Sequence, residues 1–199
     1  GTSDTNTVVN NTFIDNYMYA VYISTGANNN ITGNTIINSA YGIRLVYATG
    51  TTIMRNNVLK SSYGIYITTS STGNTIRRNV VTGKSAGIYI NADNNVVDHN
   101  TANNCDVGID FYSCRNGPIY YNTATNNSRG IRLYSASAYN SSSTVRNNKI
   151  TFNDWGIELT TTSSITFRGN WLQQNTWGVS IDDGASSSNI FYDNDFVRN

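Results

Sequence analysis

Residues 122–133 read NTATNNSRGIRL, and the pattern of this stretch recurs along the whole chain. Its last four residues form a tetrad of glycine, aliphatic residue, variable residue and apolar residue, which occurs seven times. A degenerate copy without the glycine stands at residues 20–23, and successive copies lie 22, 22, 23, 21, 22, 26 and 22 residues apart. A nearly constant period of this length is the signature of a protein built from stacked repeats.

An asparagine stands eight residues before each complete tetrad, and two more continue the series at either end. In a stack of coils, a buried amide side chain donates and accepts hydrogen bonds along the stack, and so satisfies the backbone groups of a sharp turn. We therefore predict a structural asparagine ladder. Its members are Asn11, Asn34, Asn56, Asn79, Asn100, Asn122, Asn148, Asn170 and Asn194.

Apolar residues stand at fixed distances from these asparagines. Three residues before them the chain has Val8, Ile31, Ile53 and their equivalents, and two residues after them it has mostly Ile, Val, Leu, Ala or Phe. The segments are short, β-branched and bounded by Asn, Gly, Ser and Thr, which predicts strands. We expect an all-β parallel solenoid of eight to nine coils, with three short strands per coil and about 4.8 Å between coils.

Composition excludes several other classes of protein. The 199 residues contain one Glu, three Lys and five Leu, too few strong helix formers for a helical bundle. Lys and Arg number 13 against 12 Asp and Glu, a balance that argues against non-specific binding to nucleic acid. No apolar run is long enough to span a bilayer, so no membrane insertion is expected.

We expect one β-helix domain over residues 1–199. Neither end carries a recognisable cap, although a solenoid needs its terminal core covered. The expectation is therefore a fragment of a longer chain, whose ends are covered by flanking domains or partner subunits.

The combination of Asn-x-Ile with the tetrad resembles the repeat of the right-handed parallel β-helix family. Pectate lyases, polygalacturonase-like hydrolases, alginate C5-epimerases and phage tailspikes share this architecture. The resemblance implies a secreted or cell-surface protein that binds or processes a polysaccharide. It does not extend to the epimerase site motif Tyr-Gly-Phe-Asp-Pro-His, because residues 107–112 read VGIDFY and keep only the Gly and Asp110.

The third residue of the tetrad is variable, and we expect its side chain to point outward. In a stack of coils these side chains form a column on the outer surface. Asp110, Arg132 and Glu158 occupy it in three successive coils. The two acids would lie about 9.5 Å apart, at the upper end of the spacing for an inverting glycosidase. Alternatively, Arg132 would keep both acids ionised and recognise a uronate, or would remove a proton from it in a β-elimination. These three residues are the candidate catalytic set.

Aromatic and basic residues on the same side would bind an acidic polysaccharide, with ring faces packing against sugar rings. The candidates are Arg44, Tyr66, Tyr89, Tyr112, Tyr134, Trp155 and Trp177. The sequence leaves open the orientation of the residues just before the glycine, and the 11-residue connection 134–144 is expected to bulge beside this side. The alternative is a structural rod or adhesin segment with no catalytic activity.

Few residues suit a metal or a disulfide. We expect no cofactor and no transition-metal site, and a calcium ion near Asp182 and Asp183 is the weakest of the hypotheses. Cys105 and Cys114 flank one tetrad strand on opposite sides, so two free thiols are expected rather than a bond.

Overall fold

A computed structural model describes residues 5–68, 70–137, 144–182 and 186–199. The described chain is a parallel β-solenoid of about eight coils. Each coil contributes one strand to each of three faces. Face 1 holds the strands just before the ladder asparagines, face 2 the strands just after them, and face 3 the strands that contain the tetrads.

The strands of face 1 are Thr7–Val9, Asn30–Thr32, Thr52–Met54, Thr75–Arg77, Val96–Asp98, Ile119–Tyr120, Thr144–Arg146, Thr166–Arg168 and Ile190–Tyr192. Face 2 contains Thr12–Ile14, Thr35–Ile37, Thr101–Asn103, Thr123–Thr125, Lys149–Thr151, Trp171–Gln173 and Asp195–Val197. Face 3 contains Tyr19–Ile23, Tyr41–Leu45, Val107–Tyr112, Arg129–Tyr134, Trp155–Thr160 and Trp177–Ile181. Two long strands, Asn57–Ile67 and Val80–Ile90, run from face 2 into face 3. A separate two-stranded sheet pairs Gly26–Ala27 with Ala48–Thr49, in the connections from face 3 to face 1.

Equivalent residues of successive coils pair directly. In face 3, for example, Ile109 pairs with Ile131, and Ile131 pairs with Ile157. The inward columns therefore become continuous apolar ribs, and Ile109, Ile131 and Ile157 are each completely buried. This single core runs the length of the stack, as expected for a solenoid.

The asparagine ladder is confirmed at all nine predicted positions. The backbone N–H of Asn100 donates to Oδ1 of Asn122 at 2.8 Å, and the Asn100 amide Nδ2 donates to the same oxygen and to the carbonyl of Ile76. The same backbone bond links every neighbouring pair from Asn11 to Asn194. The residue before each ladder asparagine has a positive φ, between 53° and 69°, which turns the chain from face 1 to face 2.

Two further ladders lie outside the predicted set. One of them lies at the turn from face 2 to face 3, where each member follows an asparagine of the first ladder by five residues. Its members are Asn127, Asn153, Asn175 and Asn199. The other joins Thr51, Asn74 and Asn95 before face 1. In both ladders, asparagine amides satisfy buried backbone groups of the neighbouring coil.

The tetrad glycine is required by close packing between coils. A Cβ on Gly64 would lie 2.1 Å from a Val81 methyl and 2.6 Å from the carbonyl oxygen of Gly87. Gly64 and Ile65 are both buried, so the in-out alternation of the strand is interrupted at this point. As a result the residue before the glycine and the variable residue of the tetrad, Tyr63 and Tyr66, lie on the same outer side of face 3. Cys105 and Cys114 are buried free thiols, as predicted.

We predict that Asn100→Ala lowers the free energy of unfolding by about 3 kcal/mol or more, because it leaves several buried polar groups without partners. Among them are the backbone N–H of Asn79 and the carbonyl of Ile76. The matched control is Asn11→Ala at the exposed start of the ladder, where the side chain accepts no ladder bond, and its cost should stay below about 1 kcal/mol. Equal losses for the two variants in urea unfolding would contradict the structural role of the ladder.

Candidate functional site

Face 3 brings Asp110, Arg132 and Glu158 into one column, as predicted. Asp110 pairs with Arg132, and Arg132 pairs with Glu158, in consecutive strands. The two acids are therefore two strand steps apart, about 9.5 Å.

Asp110 and Arg132 form a two-pronged ion pair. Arg132 donates from Nε to Oδ1 at 2.9 Å and from its terminal nitrogen to Oδ2 at 2.6 Å. The Asp110 side chain is 2% exposed, whereas the Arg132 side chain is 27% exposed. Burial raises the pKa of Asp110 above its usual 3.8, and the hydrogen bonds and charge of Arg132 oppose that rise. The carboxylate in turn raises the pKa of Arg132, so the guanidinium stays charged.

Glu158 contacts a different arginine from the one predicted. Its Oε2 lies 2.8 Å from Nε of Arg129, and Arg129 also donates to Asp106 at 3.1 Å. Arg132 thus contacts Asp110 directly, while Glu158 acts on it only through its charge, which helps to raise the pKa of Arg132. Arg129 stands just before the tetrad glycine and points to the outer side of face 3, where its own guanidinium lies 5.3 Å from the ring centre of Trp155.

Eight tyrosines form a continuous chain of ring contacts across the first six coils of face 3. The contacts join Tyr22, Tyr19, Tyr41, Tyr63, Tyr66, Tyr89, Tyr112 and Tyr134. Arg44 lies within 5.8 Å of four of these ring centres and donates to the Tyr19 hydroxyl at 2.6 Å. Within the described residues Arg44 has no carboxylate partner.

The tyrosine rings stack on one another rather than lying flat on the surface. Tyr66 and Tyr89 are 4.6 Å apart and nearly parallel, and so are Tyr112 and Tyr134 at 4.8 Å. Their faces are thus covered by neighbouring rings, which leaves edges and hydroxyl groups for a ligand. Any packing of Tyr66, Tyr89 and Tyr112 against sugars must therefore use the parts of the rings that these stacks leave open. Trp177, which is 60% exposed, is an open aromatic surface of face 3.

Two depressions adjoin the charged residues. One, of about 120 Å³, is lined by Tyr63, Tyr89, Asp106, Asp110 and Arg132. The other, of about 540 Å³, lies at Glu158, Thr160, Ser180 and Asp182. Residues 138–143 of the predicted bulging connection, and Asp183 of the calcium hypothesis, lie outside the described residues.

Sequence reasoning did not assign Tyr19, Tyr41, Tyr63, Arg129 or Asp106 to the site. The first four precede the tetrad glycine or its equivalent, and only the interrupted alternation at the glycine places them on the outer side. In the described parts of the chain, no group of three or more His, Cys, Asp or Glu residues is arranged to hold a metal ion. Nor do these parts contain a helix with the length and apolar character needed to cross a membrane.

Several solved structures share this fold. The periplasmic alginate epimerase AlgG superposes with a TM-score of 0.80 at 21% identity over 96% of this chain and 50% of that one. A tailspike protein from Escherichia coli O157:H7 bacteriophage CAB120 has a TM-score of 0.60 at 12% identity, with 94% and 37% of the two chains covered. The mannuronan C-5 epimerase AlgE4 A-module of Azotobacter vinelandii has a TM-score of 0.55 at 14% identity, with 90% and 72% covered.

The present chain thus spans about half the length of the AlgG structure. Among curated protein sequences, none matches this chain. The family model described as "Right handed beta helix region" matches residues 1–59 and 41–196. Together with the continuous parallel stack of coils, this match shows that the chain belongs to the right-handed β-helix family.

Proposed function

We propose that face 3 binds an extracellular or periplasmic polysaccharide whose chain lies along the stack of coils. The observation that carries the proposal is the unbroken line of aromatic and charged side chains over the coils of face 3. Polysaccharides are recognised by such combinations of aromatic rings with polar groups that address hydroxyls and carboxylates. Structural similarity to an alginate epimerase and a mannuronan epimerase supports this substrate class.

An acidic polymer fits Arg44 best among the arginines of face 3. Arg129 and Arg132 are already paired with Asp106, Asp110 and Glu158, so the charges around them are largely balanced. Arg44 is held among tyrosine rings without a carboxylate, which leaves its charge for a uronate. Trp155 and Trp177 add apolar surface at the other end of the face.

The contacts favour binding over β-elimination by Arg132. A guanidinium with a raised pKa does not accept a proton from a sugar, and both oxygens of Asp110 serve to position Arg132. Of the predicted catalytic set we therefore propose Glu158 alone as an acid or base that contacts the substrate, because the buried Asp110 carboxylate gives both of its oxygens to Arg132. A reducing-sugar assay with Glu158→Gln as the inactive control tests this role separately from binding.

We predict that Trp177→Ala weakens binding of the recognised glycan by about tenfold, the value of one good aromatic contact. Isothermal calorimetry against alginate, pectin and neutral glycans measures the loss. The control is Trp171→Ala, which removes an exposed tryptophan from face 2. Equal effects of the two variants, or no glycan bound by the native chain, would refute the proposal and favour a structural rod.

A second prediction concerns the protonation of Asp110. Its pKa in the folded protein lies above that of the unfolded chain, so the folded state holds the proton more tightly and loses stability as the pH rises between the two values. Arg132→Gln removes the main opposing influence and should raise the pKa of Asp110 further. A carboxyl-carbon NMR titration should show a larger rise for Arg132→Gln than for Arg129→Gln, and an unchanged or lowered pKa would contradict the described pairing.

A further inference from the structure

Face 1 carries a second line of charged residues, separate from the charged residues of face 3. The two outward residues of each coil are the last residue of the strand and the residue just before the ladder asparagine. Over seven coils they are Met54, Arg55, Arg77, Arg78, Asp98, His99, Tyr120, Tyr121, Arg146, Asn147, Arg168, Gly169, Tyr192 and Asp193. We call this set the arginine stripe. The strand residues beside it, such as Ile76, Val145 and Phe167, point into the core and are buried.

The arginine stripe carries a local excess of positive charge. It contains five arginines against two aspartates, in a chain whose net charge is only +1. On face 3, by contrast, Arg129 and Arg132 form ion pairs with three carboxylates, those of Asp106, Asp110 and Glu158. Within the described residues, Arg55, Arg78 and Arg146 form no ion pair.

The two aspartates pair with two of the five arginines, Arg77 and Arg168. Asp98 is buried, with its side chain 4% exposed, and both Arg77 and the His99 ring contact its Oδ2 at 3.1 and 2.8 Å. Asp193 lies 3.7 Å from Arg168, at the far end of the stripe. The outer surface between them therefore presents arginines and no free carboxylate to solvent.

Aromatic rings alternate with the arginines along the stripe. Arg146 lies over the Tyr120 ring at 4.8 Å, and Arg168 lies over the Tyr192 ring at 5.3 Å. The His99 ring stacks on Tyr121 at 5.0 Å. These contacts fix long side chains in place, which lowers the entropy lost when a ligand binds them.

We propose that the arginine stripe is a second binding surface, for an acidic polysaccharide held mainly by charge. Seven coils give a straight track of about 29 Å, along which an extended polymer meets arginines at both ends. A polyuronate offers carboxylates for guanidinium forks and apolar sugar surface for the interleaved rings. A nucleic acid is the poorer fit, because the near-zero net charge of the whole chain gives little general attraction for so dense a polyanion.

The test measures binding of alginate at low and high salt. The test uses two double variants and their combination, which remove charges of the stripe but leave the buried Asp98 and its partner Arg77 unchanged. The double variants are Arg55→Gln with Arg78→Gln, and Arg146→Gln with Arg168→Gln. We expect the combined variant to bind about tenfold more weakly at low salt, and to show a shallower dependence on salt than the native chain. Its melting temperature should stay close to that of the native protein.

The matched control for each pair of arginine substitutions removes two charges elsewhere, with Lys60→Gln and Lys149→Gln, which should leave alginate binding nearly unchanged. It is compared with the double variants Arg55→Gln/Arg78→Gln and Arg146→Gln/Arg168→Gln, each of which is a stripe variant with the same change in net charge. If the control and the stripe variant lose equal affinity, or if the native chain does not bind alginate, the proposal is overturned. Tighter binding of single-stranded DNA than of alginate at the same ionic strength would also overturn it. Trp177→Ala changes face 3 only, so it should weaken alginate binding equally at low and high salt. The stripe variant should weaken binding mainly at low salt, and this difference separates the two surfaces.

Discussion

The hydrogen bond from each ladder asparagine to the next holds the structure together. Every coil turns sharply from face 1 to face 2 through a residue with positive φ, and the turn leaves backbone groups pointing into the interior. The amide side chain of the ladder asparagine bonds these groups within the turn and joins them to the next coil. A buried polar group without a partner costs about 1–3 kcal/mol, so the ladder determines where coils can lie relative to one another.

Fixed stacking has a direct consequence for function. Because equivalent residues lie above one another, each side chain contacts the side chain at the same position of the next coil. The residue type at one coil therefore decides which contacts its neighbours in adjacent coils can make. Arg132 can therefore form an ion pair with Asp110 of the adjacent coil, and tyrosines in adjacent coils stack into a continuous row. The same geometry arranges charges into separate lines, one nearly balanced on face 3 and one strongly positive on face 1. A long polymer lying along the axis matches both lines in shape.

The sequence predicts those properties that depend on the period alone. The fold, the nine ladder asparagines and the register of Asp110, Arg132 and Glu158 follow from counting residues, because a constant spacing requires constant stacking. The orientation of Tyr41 and Arg129 could not be predicted, since it depends on two consecutive buried positions at the tetrad glycine. The contact of Glu158 with Arg129 instead of Arg132 could not be predicted from the sequence either, because it depends on side-chain rotamers. The stacking of tyrosine faces is visible only when neighbouring rings are placed together.

Amide hydrogen exchange tests this account most directly. The backbone N–H groups of Asn56, Asn79, Asn100 and Asn122 all donate to buried side-chain oxygens of the next coil. If the ladder holds the coils together, these four amides exchange only through unfolding of the stack, as slowly as the core amides of Ile65 and Ile109. Exchange as fast as that of exposed turn residues such as Asn104 would show that the coils are joined in some other way.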